Sequence, residues 1–115
     1  MPIFELRTNI ESSKVTDELI QELTTTLAKL LGKPPAYVAI TIQADQKVSF
    51  GGSTQPAGLA VLRSIGGVGG KKNNEHSKVL YPILNKFLGI PTDRLYIEFV
   101  DISPSDIAYN GKTFA

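Results

Sequence analysis

Leu31-Gly32-Lys33-Pro34 leads into the apolar run Tyr37-Val38-Ala39-Ile40-Thr41-Ile42, and Leu88-Gly89-Ile90-Pro91 leads into Leu95-Tyr96-Ile97-Glu98-Phe99-Val100. Glycine and proline recur at one offset of 57 residues, from 32 to 89 and from 34 to 91, about half of the 115-residue chain. A fixed internal offset of this kind marks a duplicated unit. In each copy the glycine suits the left-handed turn that closes a helix, and the proline stops the helix from resuming. The β-branched and aromatic residues that follow read as a strand.

Working outward, each copy completes a β-α-β unit. Leu19, Leu23, Leu27, Leu30 and Leu31 recur at spacings of three and four, one apolar helix face. Ser13 or Thr16 can cap that helix, and Asp17 and Glu18 suit its positive end. Val79, Leu80, Ile83, Leu84 and Phe87 form the matching face of a second helix, with Asn73 or Asn74 as its expected cap. Pro82 falls inside it. It removes one backbone bond and crowds the Lys78 carbonyl, so a local kink with that carbonyl facing water is expected. Ile3–Thr8 and Leu59–Ile65 read as the strands that open the two units. The expected fold is α+β: one domain over residues 1–115, a four-stranded sheet with both helices on one face. Ile40–Ile42 and Ile97–Phe99 are apolar enough to need a cover on the opposite face, which predicts a homo-oligomer with sheets packed round an axis.

The composition is that of an ordinary globular domain, with 42% hydrophobic and 20% charged residues and a net charge of +1. No basic run exceeds Lys71-Lys72, so nucleic-acid and membrane surfaces are not indicated. The absence of cysteine excludes disulfides, thiol catalysis and thiolate zinc sites. The N-terminus has no signal-peptide pattern and no apolar run approaches a membrane helix, so synthesis in the cytosol is expected, with any exit by another route.

The chain opens Met1-Pro2-Ile3-Phe4. A small second residue permits removal of Met1, which would leave proline as a free secondary amine. Such an amine titrates near 8, and an apolar pocket lowers that value towards neutrality, where a general base works best. Many proteins start Met-Pro, so taken alone this pair also fits an inert terminus. Lys33, held between Gly32 and Pro34-Pro35, fits either a solvated loop cation or a point-charge anchor for a carboxylate. Ala108-Tyr109-Asn110-Gly111-Lys112-Thr113-Phe114-Ala115 is a turn flanked by two aromatics, suited to lining a pocket or packing on a neighbour. Ser64-Ile65-Gly66-Gly67-Val68-Gly69-Gly70-Lys71 misses the phosphate-loop spacing, and Lys72 stands where a Ser or Thr is needed. It reads as a turn using positive φ angles. His76, the only histidine, has no cysteine or second histidine to share a metal; near a helix start, it is expected to be solvated or capping.

Together, Met1-Pro2-Ile3-Phe4, Thr8-Asn9, Leu31-Gly32-Lys33-Pro34-Pro35, Tyr37-Val38-Ala39, Phe50-Gly51-Gly52-Ser53, Ser64–Gly69, Arg94-x-Tyr96-Ile97 and the ending Asn110-Gly111-x-Thr113-Phe114-Ala115 resemble the macrophage migration inhibitory factor family. The resemblance spans the whole chain. Tyr96 and the Thr-Phe-Ala ending lie nearer the factor that names the family than its D-dopachrome tautomerase branch. The resemblance implies a homotrimer and cofactor-independent keto–enol tautomerisation of phenylpyruvate- and dopachrome-type substrates. It also implies a cytokine that leaves cells without a signal peptide and engages a CD74-type receptor; a signalling protein with a vestigial pocket is the alternative. On this resemblance Pro2 is the catalytic base, Lys33 the carboxylate anchor and Ile65 a backbone donor beside Ser64. Tyr96 comes from the neighbouring subunit, and Tyr37, Tyr109 and Phe114 form the apolar wall. No metal or cofactor is implied.

Three positions depart from the family pattern. Glu98 stands where mammalian members carry a substrate-contacting asparagine; an ionised carboxylate only accepts hydrogen bonds and repels a substrate carboxylate, unless it pairs with Lys33. Pro56-Ala57-Gly58-Leu59-Ala60 replaces a CxxC segment, so thiol-oxidoreductase activity is not expected. Ser12 replaces an arginine implicated in chemokine-receptor contact, although Asp45 matches.

Overall fold

The computed structural model describes all residues, Met1–Ala115. Strand β1 (Ile3–Thr8) is followed by helix α1 (Asp17–Leu31) and β2 (Ala39–Gln43); β3 (Gly58–Ser64), helix α2 (Lys71–Leu88) and β4 (Leu95–Asp101) repeat that order. The four strands form one mixed sheet, β2-β1-β3-β4. β1 runs parallel to β2, β3 runs parallel to β4, and the central pair is antiparallel. The duplicated β-α-β architecture is therefore present. A short hairpin of β5 (Ala108–Tyr109) and β6 (Lys112–Thr113) ends the chain. Its Asn110-Gly111 turn has φ of 53° and 90°, the signs that a two-residue hairpin of this hand requires.

The core lies between the sheet and the two helices. Phe4, Leu6, Leu62, Leu19, Leu23, Leu27, Leu80, Leu84 and Leu88 are fully buried. Each such side chain contributes about 1.5–3 kcal/mol of burial, which is what holds two otherwise marginal helices. Thr16 caps α1 by accepting from the Leu19 N–H at 3.2 Å. At the other end Gly32 has φ 63°, its N–H bonds the Lys29 carbonyl at 3.4 Å, and the Lys33 N–H bonds the Ala28 carbonyl at 3.0 Å. That pair of bonds is a Schellman closure. The direction in which Lys33 leaves the helix is thus set by the helix itself.

Several sequence expectations need correction. Helix α2 starts at Lys71, so Gly70 rather than Asn73 or Asn74 stands at its cap position. Asn73 lies in its first turn, where Oδ1 accepts from the Gly69 N–H at 2.7 Å. His76 stands one turn before Leu80, on the inward face with Leu80, Ile83 and Leu84, so it is buried rather than solvated. Pro82 does fall inside this helix, and it and Lys78 lie on the exposed side. Ile40, Ile42, Ile97 and Phe99 do not form the uncovered face; they pack against the core beneath the helices. The alternate residues carry the open face in rows set by the register: Ala39-Ile3-Arg63-Val100, Thr41-Glu5-Val61-Glu98 and Gln43-Arg7-Leu59-Tyr96. That face is mixed rather than apolar, and Arg63 bonds Glu5 across it at 3.0 Å.

Candidate active site

The helix-ending turn, a glycine loop and the C-terminal hairpin converge on the start of β1. Pro2 is buried, and its carbonyl accepts from the Ala39 N–H at 3.0 Å. Beside it lies a cavity of about 300 Å³ lined by Met1, Lys33, Pro34, Tyr37, Ile65, Pro104 and Phe114. A second, wholly apolar cavity of about 260 Å³ shares Met1, Tyr37 and Phe114 with the first and adds Ile3, Ala39, Ile107 and Tyr109 among its walls. Concave apolar space with a few fixed polar groups is the usual form of a small-molecule site.

Each wall has a local cause. The Pro34 and Pro35 carbonyls accept from the Tyr37 and Val38 N–H groups at 3.1 Å, a single turn that aims the Tyr37 ring. Tyr37 meets Tyr109 edge-on at 5.3 Å between ring centres and Phe114 at 6.4 Å, an aromatic cluster that anchors the hairpin. Phe114 is fixed further by its N–H, which donates to the Pro104 and Ile107 carbonyls.

The polar features are sparse. Lys33 is the only charged side chain on either cavity wall and forms no salt bridge in the chain. Ile65 follows the last residue of β3, and its N–H pairs with no acceptor in the chain. An unpaired cation and an unpaired backbone donor on one wall suit an anionic ligand. The terminal amine on Met1 is held below its ordinary value, first by burial and second by the Lys33 charge. No group of three or more His, Asp or Glu side chains gathers for a metal, and no helix is long and apolar enough to cross a membrane.

The remaining residues named from sequence lie elsewhere. Ser64 is fully buried behind the loop, with its Oγ unpartnered, and lines neither cavity. Tyr96 sits at the opposite end of the sheet, 68% exposed, its ring 4.9 Å from Phe50. Glu98 is exposed near the middle of β4 and is not paired with Lys33 within the chain. Sequence reading missed Pro34, Pro104 and Ile107 as walls; Ser103-Pro104-Ser105 was a visible turn signal, but nothing local tied it to the N-terminus. It also missed the stitching by Thr8 and Asn9. Thr8 Oγ1 donates to the Ala57 carbonyl at 2.7 Å, and Asn9 bonds the Thr54 and Gln55 carbonyls and the Ala57 N–H.

A duplicated α+β domain with an aromatic, singly cationic pocket beside its N-terminal residue defines a narrow structural class. The model of the macrophage migration inhibitory factor family matches residues 1–115, and the chain belongs to that family. It is 47% identical to a macrophage migration inhibitory factor homolog of Trichuris trichiura, over 99% of this chain and all of that one. It is 46% identical to the macrophage migration inhibitory factor of Xenopus laevis over the full length of both. The solved structure of the factor from Trichinella spiralis superposes with a TM-score of 0.94 at 44% identity, covering 97% of this chain and 99% of that one. The homologue from Prochlorococcus marinus reaches the same TM-score at 34% identity, covering 98% and 99%.

Proposed function

We propose that this chain is a cofactor-independent keto–enol tautomerase of small aromatic keto acids, phenylpyruvate and dopachrome types included, with Pro2 as its base once Met1 is removed. One observation carries the reading most: unpaired Lys33 and the unpaired Ile65 N–H share a cavity wall that reaches the N-terminus. Lys33 and the Ile65 N–H bind the substrate carboxylate. The neutral Pro2 nitrogen takes a proton from the carbon next to the carbonyl. The C–H electron pair becomes the new C=C bond, the carbonyl oxygen takes up a proton from solvent to give the enol, and protonated Pro2 gives its proton back to solvent. In the reverse direction protonated Pro2 returns its proton to carbon. Tyr37, Tyr109 and Phe114 exclude water, which strengthens the effect of Lys33 on both carboxylate and amine. The desolvation and the Lys33 charge that lower the Met1 amine favour a neutral amine at this spot.

Completion of the site in a homotrimer belongs to the same proposal. Exposed Tyr96, packed on half-buried Phe50, lies at the end of the sheet remote from Pro2. A head-to-tail contact that closes a ring brings that end against a neighbour's pocket. Membership of a family named for a cytokine supports a second role: export without a signal peptide and signalling through a CD74-type receptor. The deciding experiment is a phenylpyruvate assay on protein whose loss of Met1 is established by intact mass. Turnover that disappears in Pro2→Gly supports the enzyme; equal turnover in that variant removes Pro2 from the chemistry. Receptor binding retained by inactive Pro2→Gly would separate the two roles.

A further inference from the structure

His76 is 5% exposed and lines neither cavity. Its Nε2 lies 2.6 Å from the Gly67 carbonyl oxygen. That oxygen only accepts, so Nε2 is the donor; Nδ1 is buried with no partner. An unpaired buried nitrogen weakens the fold in a way that an apolar side chain here would not. The compensating feature is the hold on Gly67.

Gly67 has φ +75°, and a Cβ on it would stand 3.2 Å from Leu31 Cδ2. Gly67 is therefore wedged between His76 on α2 and the last residue of α1. The two segments in that wedge carry the polar groups of the cavity: Leu31 is two residues before Lys33, and Gly67 is two residues after Ile65. Two further bonds tie the loop to the end of β4. The Gly66 N–H donates to Asp101 Oδ1 at 2.9 Å, and the Ser64 carbonyl accepts from the Ile102 N–H at 2.8 Å.

We infer that His76 is a positioning residue that, through its bond to Gly67, sets the separation of Lys33 and the Ile65 N–H for a carboxylate-bearing ligand. The inference rests on the tautomerase reading for its substrate, though not for its geometry.

The test compares Met1-free wild type, His76→Leu and His76→Gln by amide hydrogen exchange and by phenylpyruvate kinetics. In His76→Leu, exchange across residues 65–68 accelerates about tenfold while β1 and α1 keep wild-type rates; KM rises about fivefold and kcat stays within about twofold. Glutamine places a donor near the same carbonyl, so His76→Gln returns loop exchange and KM to within about twofold of wild type. Should His76→Leu not fold, His76→Phe, which keeps a ring against Phe99, takes its place. Wild-type exchange and KM in the apolar variant, or a glutamine variant as impaired as it, overturns the assignment. If the wild-type chain itself does not turn over phenylpyruvate, the tautomerase reading fails, and the exchange pattern alone decides the role of His76.

Discussion

The two ends of the sheet are built in opposite ways. At the Pro2 end the chain is concave: β1 begins under a helix-ending turn, a glycine loop and the terminal hairpin, and the one charged side chain within, Lys33, has no partner. At the Tyr96 end the chain projects an exposed tyrosine over half-buried Phe50, and the nearby cation is engaged by backbone. The Arg94 guanidinium donates to the carbonyls of Phe50, Ser53, Gln55 and Pro56, and lies 5.6 Å from the Phe50 ring centre. Both ends carry a cation among aromatics. A cation whose donors are consumed by backbone is structural; one left free over apolar space is available to a ligand. Electrostatic availability, rather than residue type, separates the two.

The contrast breaks most severely at Pro2. With Met1 removed, Pro2→Gly is expected to lower phenylpyruvate turnover by about 10²–10⁴-fold with unchanged circular dichroism; a smaller loss would mean that the concave end does not use its amine. Tyr96→Ala comes next, with kcat/KM reduced about tenfold despite its remoteness from Pro2 in its own chain. Mixing Tyr96→Ala with Pro2→Gly chains should restore activity above the sum of the two alone, since a ring then contains sites with both residues intact. Purely additive activity would confine the site to one subunit.

Lys33→Ala should raise KM about tenfold and also move the pH profile. The active amine is the unprotonated form, so activity is present above its pKa and lost as pH falls through it. Burial and then Lys33 depress the Met1 amine, and the Pro2 amine freed by loss of Met1 is expected to meet the same two influences. Removing Lys33 therefore shifts the acid limb to higher pH, while burial, the larger cause, persists. An unmoved acid limb with a raised KM would keep Lys33 as an anchor only. Arg94→Gln should leave Lys33-dependent binding intact but cost about 2 kcal/mol in denaturant unfolding, because carbonyls of the Phe50–Pro56 loop lose charged donors. The smallest expected effect is at Glu98: Glu98→Asn should lower KM by no more than about threefold, since the side chain is exposed and screened.

The legible parts of the molecule were those decided within a few residues. Gly32 and Gly89 end helices because they alone accept the left-handed turn cheaply, and the leucine spacing named the buried face of α1 before any contact was known. The Asn110-Gly111 hairpin was equally local. The misread parts depended on which face a residue takes. His76 lies one helical turn before Leu80, so the stripe through Leu80, Ile83 and Leu84 carries it into the core. Alternation along β2 and β4 hid Ile40, Ile42, Ile97 and Phe99 beneath the helices and left polar residues on the face that had looked apolar.

By itself the sequence determined two β-α-β units, their helix ends and a proline at position 2, because backbone sterics and side-chain periodicity act at short range. Only the tertiary structure decided that Lys33, Ile65, Pro104 and Phe114, from four separate segments, enclose one cavity beside that proline, and that Tyr96 faces the other way. Such proximity follows from strand register and from how two helices share one core, and those depend on pairing between residues far apart in the chain.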